Sequence, residues 1–128
     1  SFSELRREGM EIERANRLSP TKKPAIPYVT ACLDQAEGPI IAATDYVRAY
    51  ADLVRPYLSR TYLTLGTDGF GRSDGRERLR YFFEVDANHI AYAALKALHD
   101  EGGITQADLV KARAKLQIDP NKPNPMTV

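Results

Sequence analysis

The sequence predicts an α/β fold, a mostly parallel sheet flanked by helices, on three observations. Residues 39–44 (Pro-Ile-Ile-Ala-Ala-Thr) form a short apolar run without polar alternation, the pattern of a strand covered on both faces. Residues 61–65 (Thr-Tyr-Leu-Thr-Leu) are a second strand-like run. Between them lies a stretch of helical periodicity, and two parallel strands need such a crossover. Both strand exits, Thr44-Asp45 and residues 66–74, then leave the carboxyl edge of the sheet, where α/β folds usually place ligands and partners.

Each element has a local reason. Residues 3–18 are charged and helix-prone, with Leu5, Ile12, Met10 and Leu18 as a thin apolar stripe and Arg7 spaced to pair with Glu11. Gly9 weakens this helix by up to about 1 kcal/mol relative to alanine. Pro20, Pro24 and Pro27 force a loop, and residues 28–33 suit a short helix. After the first strand, Thr44 or Asp45 can cap a helix that runs to Tyr57, with Pro56 helping to end it. Tyr46, Val47, Tyr50, Leu53, Val54 and Tyr57 share one face, expected to be core, while Arg48, Asp52 and Arg55 face away.

Beyond the second strand, Asp74 is placed to cap a helix, with Glu77 reaching back to the cap and Leu79, Phe82 and Phe83 anchoring it. Asp86 caps the next, whose expected buried stripe is Ile90, Ala91, Ala94, Leu95 and Leu98, and Gly102-Gly103 stops it. Thr105 with Asp108 opens a last helix to Leu116, and the proline-bearing tail from Asp119 is expected to be extended. Two strands make a poor sheet. Ser1-Phe2 reads as the end of a strand lying upstream, and the chain, which does not start with methionine, as one partial domain (1–128) of a larger protein.

Composition narrows the function. The 128 residues fit one core, with 43% hydrophobic and 27% charged side chains as in an ordinary globular domain. A net charge of +1, from 18 basic and 17 acidic groups, gives no nucleic-acid footprint. Cys32 is alone, which fits a reducing compartment and excludes an intrachain disulfide. No apolar run reaches the roughly 20 residues of a membrane span, and no signal-peptide layout is present. His89 and His99 read as satisfied or solvent-facing side chains and not as zinc ligands.

The run 66–74, Gly-Thr-Asp-Gly-Phe-Gly-Arg-Ser-Asp, carries the strongest motif signal. Gly66-x-x-x-x-Gly71-Arg72-Ser73 has phosphate-loop spacing with arginine in place of lysine. A planar guanidinium is a poor substitute for the compact ammonium, and Asp68 would repel a phosphate. Dinucleotide spacing is absent as well, so a tight strand-to-helix turn is the simpler use of these glycines.

As longer strings, Ala43-Thr-Asp-Tyr46, Leu65-Gly-Thr-Asp-Gly-Phe-Gly-Arg-Ser-Asp74, Arg76-Glu77, Phe83-Glu-Val-Asp86 and Asp119-Pro-Asn-Lys-Pro-Asn-Pro125 resemble the C-terminal end of the homodimeric bacterial pyruvate dehydrogenase E1 family. Ser1-Phe-Ser-Glu-Leu5, Glu13-Arg14 and Pro20 extend the likeness over the whole chain, in order. The resemblance implies a three-layer, transketolase C-terminal-domain-like fold in a cytoplasmic enzyme. That enzyme uses thiamine diphosphate and Mg²⁺ to decarboxylate pyruvate and reductively acetylate the lipoyl group of the E2 acyltransferase. It also implies that cofactor and catalytic residues lie in other domains, so this segment binds no cofactor and contacts the other domains and the second subunit.

No catalytic, cofactor or metal residue is therefore expected here. Asp68, Arg72, Ser73 and Asp74 are the candidates for fixing a domain or subunit contact, Arg72 because a guanidinium can hold a carboxylate bidentately. The plainer alternative is that Asp68 and Arg72 close their own loop. A regulatory ligand-binding module using the carboxyl edge is a second functional class, and a freestanding phosphate-loop enzyme a third.

Overall fold

A computed structural model describes residues 1–69 and 74–127. The sequence expectations for Gly71, Arg72 and Ser73 lie outside them. The order is α1 (Phe2–Leu18), α2 (Tyr28–Leu33), β1 (Ile40–Ala43), α3 (Arg48–Ala51) continuing as a 3-10 segment (Asp52–Tyr57), β2 (Tyr62–Leu65), α4 (Arg76–Phe82), α5 (Ala87–Asp100) and α6 (Gln106–Lys115). The strands pair in parallel, Ile40 opposite Tyr62 through Ala43 opposite Leu65, so the expected strand–helix–strand unit is present.

The core forms where α1, α2 and the 3-10 segment meet the sheet: Val29, Val54, Tyr57 and Tyr62 are buried together, with Phe2, Leu5, Leu33 and Ile40 packed around them. Burying such side chains contributes about 1.5–3 kcal/mol each. Met10 and Leu18, expected in the apolar stripe of α1, are exposed instead. Gly9, which sequence reasoning treats as a weakness, is the buried residue of α1, lying against the Tyr57 ring. Ser1-Phe2 does not end a strand: Ser1 Oγ accepts from Glu4 N at 3.4 Å and caps α1.

The crossover differs from the single helix expected. Thr44–Val47 stays non-helical, Tyr46 and Val47 are exposed, and α-geometry begins only at Arg48. The later half winds as a 3-10 helix containing Pro56, whose ring in an α-turn would meet the carbonyl of Asp52. The strands are also less covered than expected. β1 is half-buried with Ala43 exposed, and β2 alternates, burying Tyr62 and Thr64 while Leu63 is exposed. On α5, Ala91 is exposed because its position turns away from the His89–Ala97 face.

Local capping matches the sequence at two helices. Asp86 accepts from His89 N at 3.0 Å, and Thr105 and Asp108 form a reciprocal capping box. No helix among the described residues is long and apolar enough to cross a membrane.

Arg60 sets the approach to β2. Its guanidinium donates to the carbonyls of Leu33 (2.5 Å), Gly38 (2.7 Å) and Glu37 (3.0 Å), closing the end of α2 against the turn into β1. Arg60→Ala is expected to cost about 2–3 kcal/mol, since charge-assisted bonds to partly buried carbonyls are lost together. Urea unfolding measures it, and a loss below 0.5 kcal/mol (on the order of one exposed pair) would contradict it.

Two buried phenols set an alkaline limit. Tyr62 donates to Ala51 O at 2.6 Å, and burial, reinforced by the Asp52 carboxylate, pushes its pKa above the ordinary 10.0. Burial, with the Glu13 carboxylate next, raises Tyr57 likewise, although its hydroxyl has no hydrogen-bond partner among the described residues. The unfolded phenols ionise first, so this stabilisation is intact below about pH 10 and is lost as pH rises through the higher folded values. The melting temperature should therefore fall above that pH, and fall less steeply in Tyr62→Phe. An identical decline in the variant would refute the assignment.

Candidate functional site

The two loops leaving the carboxyl edge are laced together. Thr44 N donates to Leu65 O at 2.9 Å, adding one rung beyond the sheet. Thr67 N then donates to Tyr46 O at 2.9 Å and Thr67 Oγ1 to Asp45 O at 2.7 Å. These bonds hold residues 44–47 across the sheet edge, which is why a helix cannot start at Asp45. Gly66 lies beneath the crossing: a Cβ there would stand 2.6 Å from Tyr46 O and 2.8 Å from Arg48 N.

Asp68 completes the junction. Its Oδ1 accepts from Arg48 N at 3.1 Å, supplying the first turn of α3 with a partner that Val47 cannot provide. Its Oδ2 lies 2.7 Å from Arg48 Nε, an ion pair whose N–H is not aligned for a hydrogen bond. The pair is well shielded on the carboxylate side, where the Asp68 side chain is 18% exposed. Arg48, expected to face solvent, is thus a site residue that helical periodicity missed. Nothing periodic links it to Asp68, 20 residues on, whose nearer cation in the sequence is Arg72. Asp74 is exposed and does not cap α4. The N-cap is Gly75, one residue later, and among the described residues the Asp74 carboxylate accepts from Gly75 N, at 2.7 Å. The structure therefore does not bring Asp68 and Asp74 together.

Beyond the loops a cleft of about 670 Å³ opens between the end of β1 and the α4–α5 corner, lined by Thr44, Asp45, Glu77, Arg80, Asp86 and Asn88. A smaller hollow of about 330 Å³ adjoins it, walled by Thr67, Gly69, Arg76 and Phe83 and sharing Asp45 and Arg80. Asp45 and Arg80 face each other at 4.0 Å, a loose exposed pair worth at most about 1 kcal/mol. Asp86 is committed to His89, whose backbone N and Nδ1 (2.5 Å) both meet Oδ1, and the buried His89 ring packs on Tyr81 at 5.5 Å.

The N–H of Thr67 and the carboxylate of Asp68 are turned onto the chain itself, unlike a phosphate cradle. No group of three or more His, Cys, Asp or Glu among them is gathered to hold a metal ion.

A model of the transketolase-like TK C-terminal domain matches residues 1–86, two-thirds of the chain, spanning both strands and both exit loops. The chain belongs to the transketolase-like C-terminal domain family. This transketolase-like chain is 56% identical over 128 residues to the pyruvate dehydrogenase E1 component of Cupriavidus necator. It is 52% identical over 127 residues to that of Pseudomonas aeruginosa and 46% over 126 to that of Escherichia coli K12. The alignments cover 100%, 98% and 98% of this chain but 14% of each relative. They continue through α5, α6 and the tail, beyond the residues matched by the domain model.

Proposed function

We propose that this chain serves a pyruvate dehydrogenase E1 component as an assembly-supporting C-terminal domain. The observation that carries this reading is the 56% identity over all 128 residues to an E1 component. In that role the two strands belong to a larger, mostly parallel sheet in a three-layer domain. The complete enzyme, in the bacterial cytoplasm, decarboxylates pyruvate with thiamine diphosphate and Mg²⁺ and passes the acetyl group to lipoyl-E2. In this reading the cofactor is held by other parts of the enzyme.

The side chains support a positioning role. Asp68, Arg48 and Thr67 join the two exit loops just before the segment that carries Arg72 and Ser73 in the sequence. Arg72 and Ser73 then secure the neighbouring domain or subunit, and Asp74, exposed, adds charge beside them. A variant of the complete protein tests the absence of chemistry in the cleft. Asp45→Asn should leave thiamine diphosphate affinity and pyruvate turnover within about 2-fold, because removing one side of a loose exposed pair changes little. A loss of 100-fold or more (on the scale of an acid–base residue) would place catalysis in this cleft.

The cleft itself favours one other reading, a regulatory module that binds a small ligand at the carboxyl edge, since acidic and basic side chains converge on about 670 Å³. Calorimetry with nucleotides and acyl metabolites tests it, and no heat at millimolar ligand would retire it.

A further inference from the structure

The tail is not the extended end expected from its prolines. After α6 it makes two side-chain-closed turns: Asp119 Oδ1 accepts from Asn121 N at 2.9 Å, and Asn124 Oδ1 from Met126 N at 3.0 Å. Pro120, Pro123 and Pro125 restrict the free chain, so less conformational entropy is lost when the turns form. The segment thus arrives at the domain surface already shaped.

It lands on two separate elements. Lys122 enters a socket at the end of α4, where its Nζ donates to Phe82 O at 2.6 Å. The ammonium also stands 3.5 Å from Glu84 Oε1 and 5.5 Å and 5.1 Å from the Tyr81 and Phe82 ring centroids. The Lys122 side chain is 9% exposed, which an ammonium tolerates only with such partners: a carbonyl at a helix C-terminus, a carboxylate and aromatic faces. A few residues on, Pro125 is buried and its carbonyl occupies the place a Cβ would take on Gly69, whose φ is +111°. Met126 Sδ lies 3.4 Å from Arg48 Nη2.

These contacts bridge the walls of the smaller hollow. One is α4, which makes no extended contact with another helix or strand among the described residues. The other is the laced loop containing Thr67, Asp68 and Gly69. We infer that residues 119–127 are a strap that fastens α4 to the carboxyl-edge loop, with Lys122 as its lock, so that seating the tail fixes the opening of the smaller hollow. The strap lies beyond residue 86, where the domain model's match ends, and within the stretch that aligns with the E1 relatives.

Hydrogen exchange in the complete protein tests this on two variants, Lys122→Met and a truncation after Ile118. The amides of Phe83, in α4's last turn, and of Thr67, in the loop, are hydrogen-bonded and report the two walls. Both should exchange at least ~10-fold faster in each variant, while Leu5 and Leu109, in α1 and α6, keep their protection. Unchanged exchange at Phe83 and Thr67 overturns the strap. So does acceleration at only one of them, which would deny the coupling, or a uniform rise at all four, which would make the tail ordinary core.

Discussion

Gly66→Ala is expected to lower stability by roughly 3 kcal/mol and to uncouple the exit loops, the larger of the expected single-substitution effects. The added Cβ meets backbone on two sides, Tyr46 O at 2.6 Å and Arg48 N at 2.8 Å, and neither can retreat as a flexible side chain would. Moving Tyr46 away breaks the bond from Thr67 N, and moving Arg48 breaks the bond to Asp68 Oδ1. Overpacking and the loss of those bonds act together. Denaturant unfolding gives the energy, and a change below about 1 kcal/mol would mean the crossing is looser than described.

Gly9→Ala is expected to destabilise as well, against its local helix propensity. In an exposed helix interior the substitution stabilises by up to about 1 kcal/mol. Here the Cβ would stand 2.5 Å from Tyr57 Cζ and 2.6 Å from Cε2, forcing α1 away from the core or the ring out of place. The Tyr57 ring is buried, with the Arg6 guanidinium over it 5.6 Å from its centroid. We expect a net loss of about 2 kcal/mol once the helix gain is offset. A stabilised variant in thermal unfolding would show that the α1–Tyr57 contact has been misjudged.

These two glycines show where sequence reasoning stops. Two caps and one ion pair were legible because both partners lie within about one turn: Asp86 with His89 N, Thr105 with Asp108, and Arg7 paired with Glu11. The strands and their parallel pairing were legible from apolar runs and a crossover of sufficient length. Gly9 appeared only as a poor helix former, since nothing local announces a ring that arrives from the 3-10 segment. Arg48 meets Asp68 across 20 residues, and Lys122 meets Phe82 across 40, so neither pairing has a periodic signature.

The exit-loop errors have one cause. Tyr46 and Val47 have the spacing of a core-facing helical stripe, but Thr67 captures the Asp45 and Tyr46 carbonyls before helix can form. Tertiary hydrogen bonds override a local pattern that is otherwise sound. Among the candidate residues, Asp68 is engaged within its own chain and Asp74 lies exposed beside Gly75.

The most direct measurement is sedimentation of the complete protein with Arg72→Ala, alongside pyruvate turnover expressed per assembled dimer. An assembly-supporting domain predicts dimer dissociation at ~10-fold or more higher protein concentration, about 1.4 kcal/mol of lost contact, with turnover per dimer unchanged. Unchanged dimer affinity together with normal activity would contradict the account.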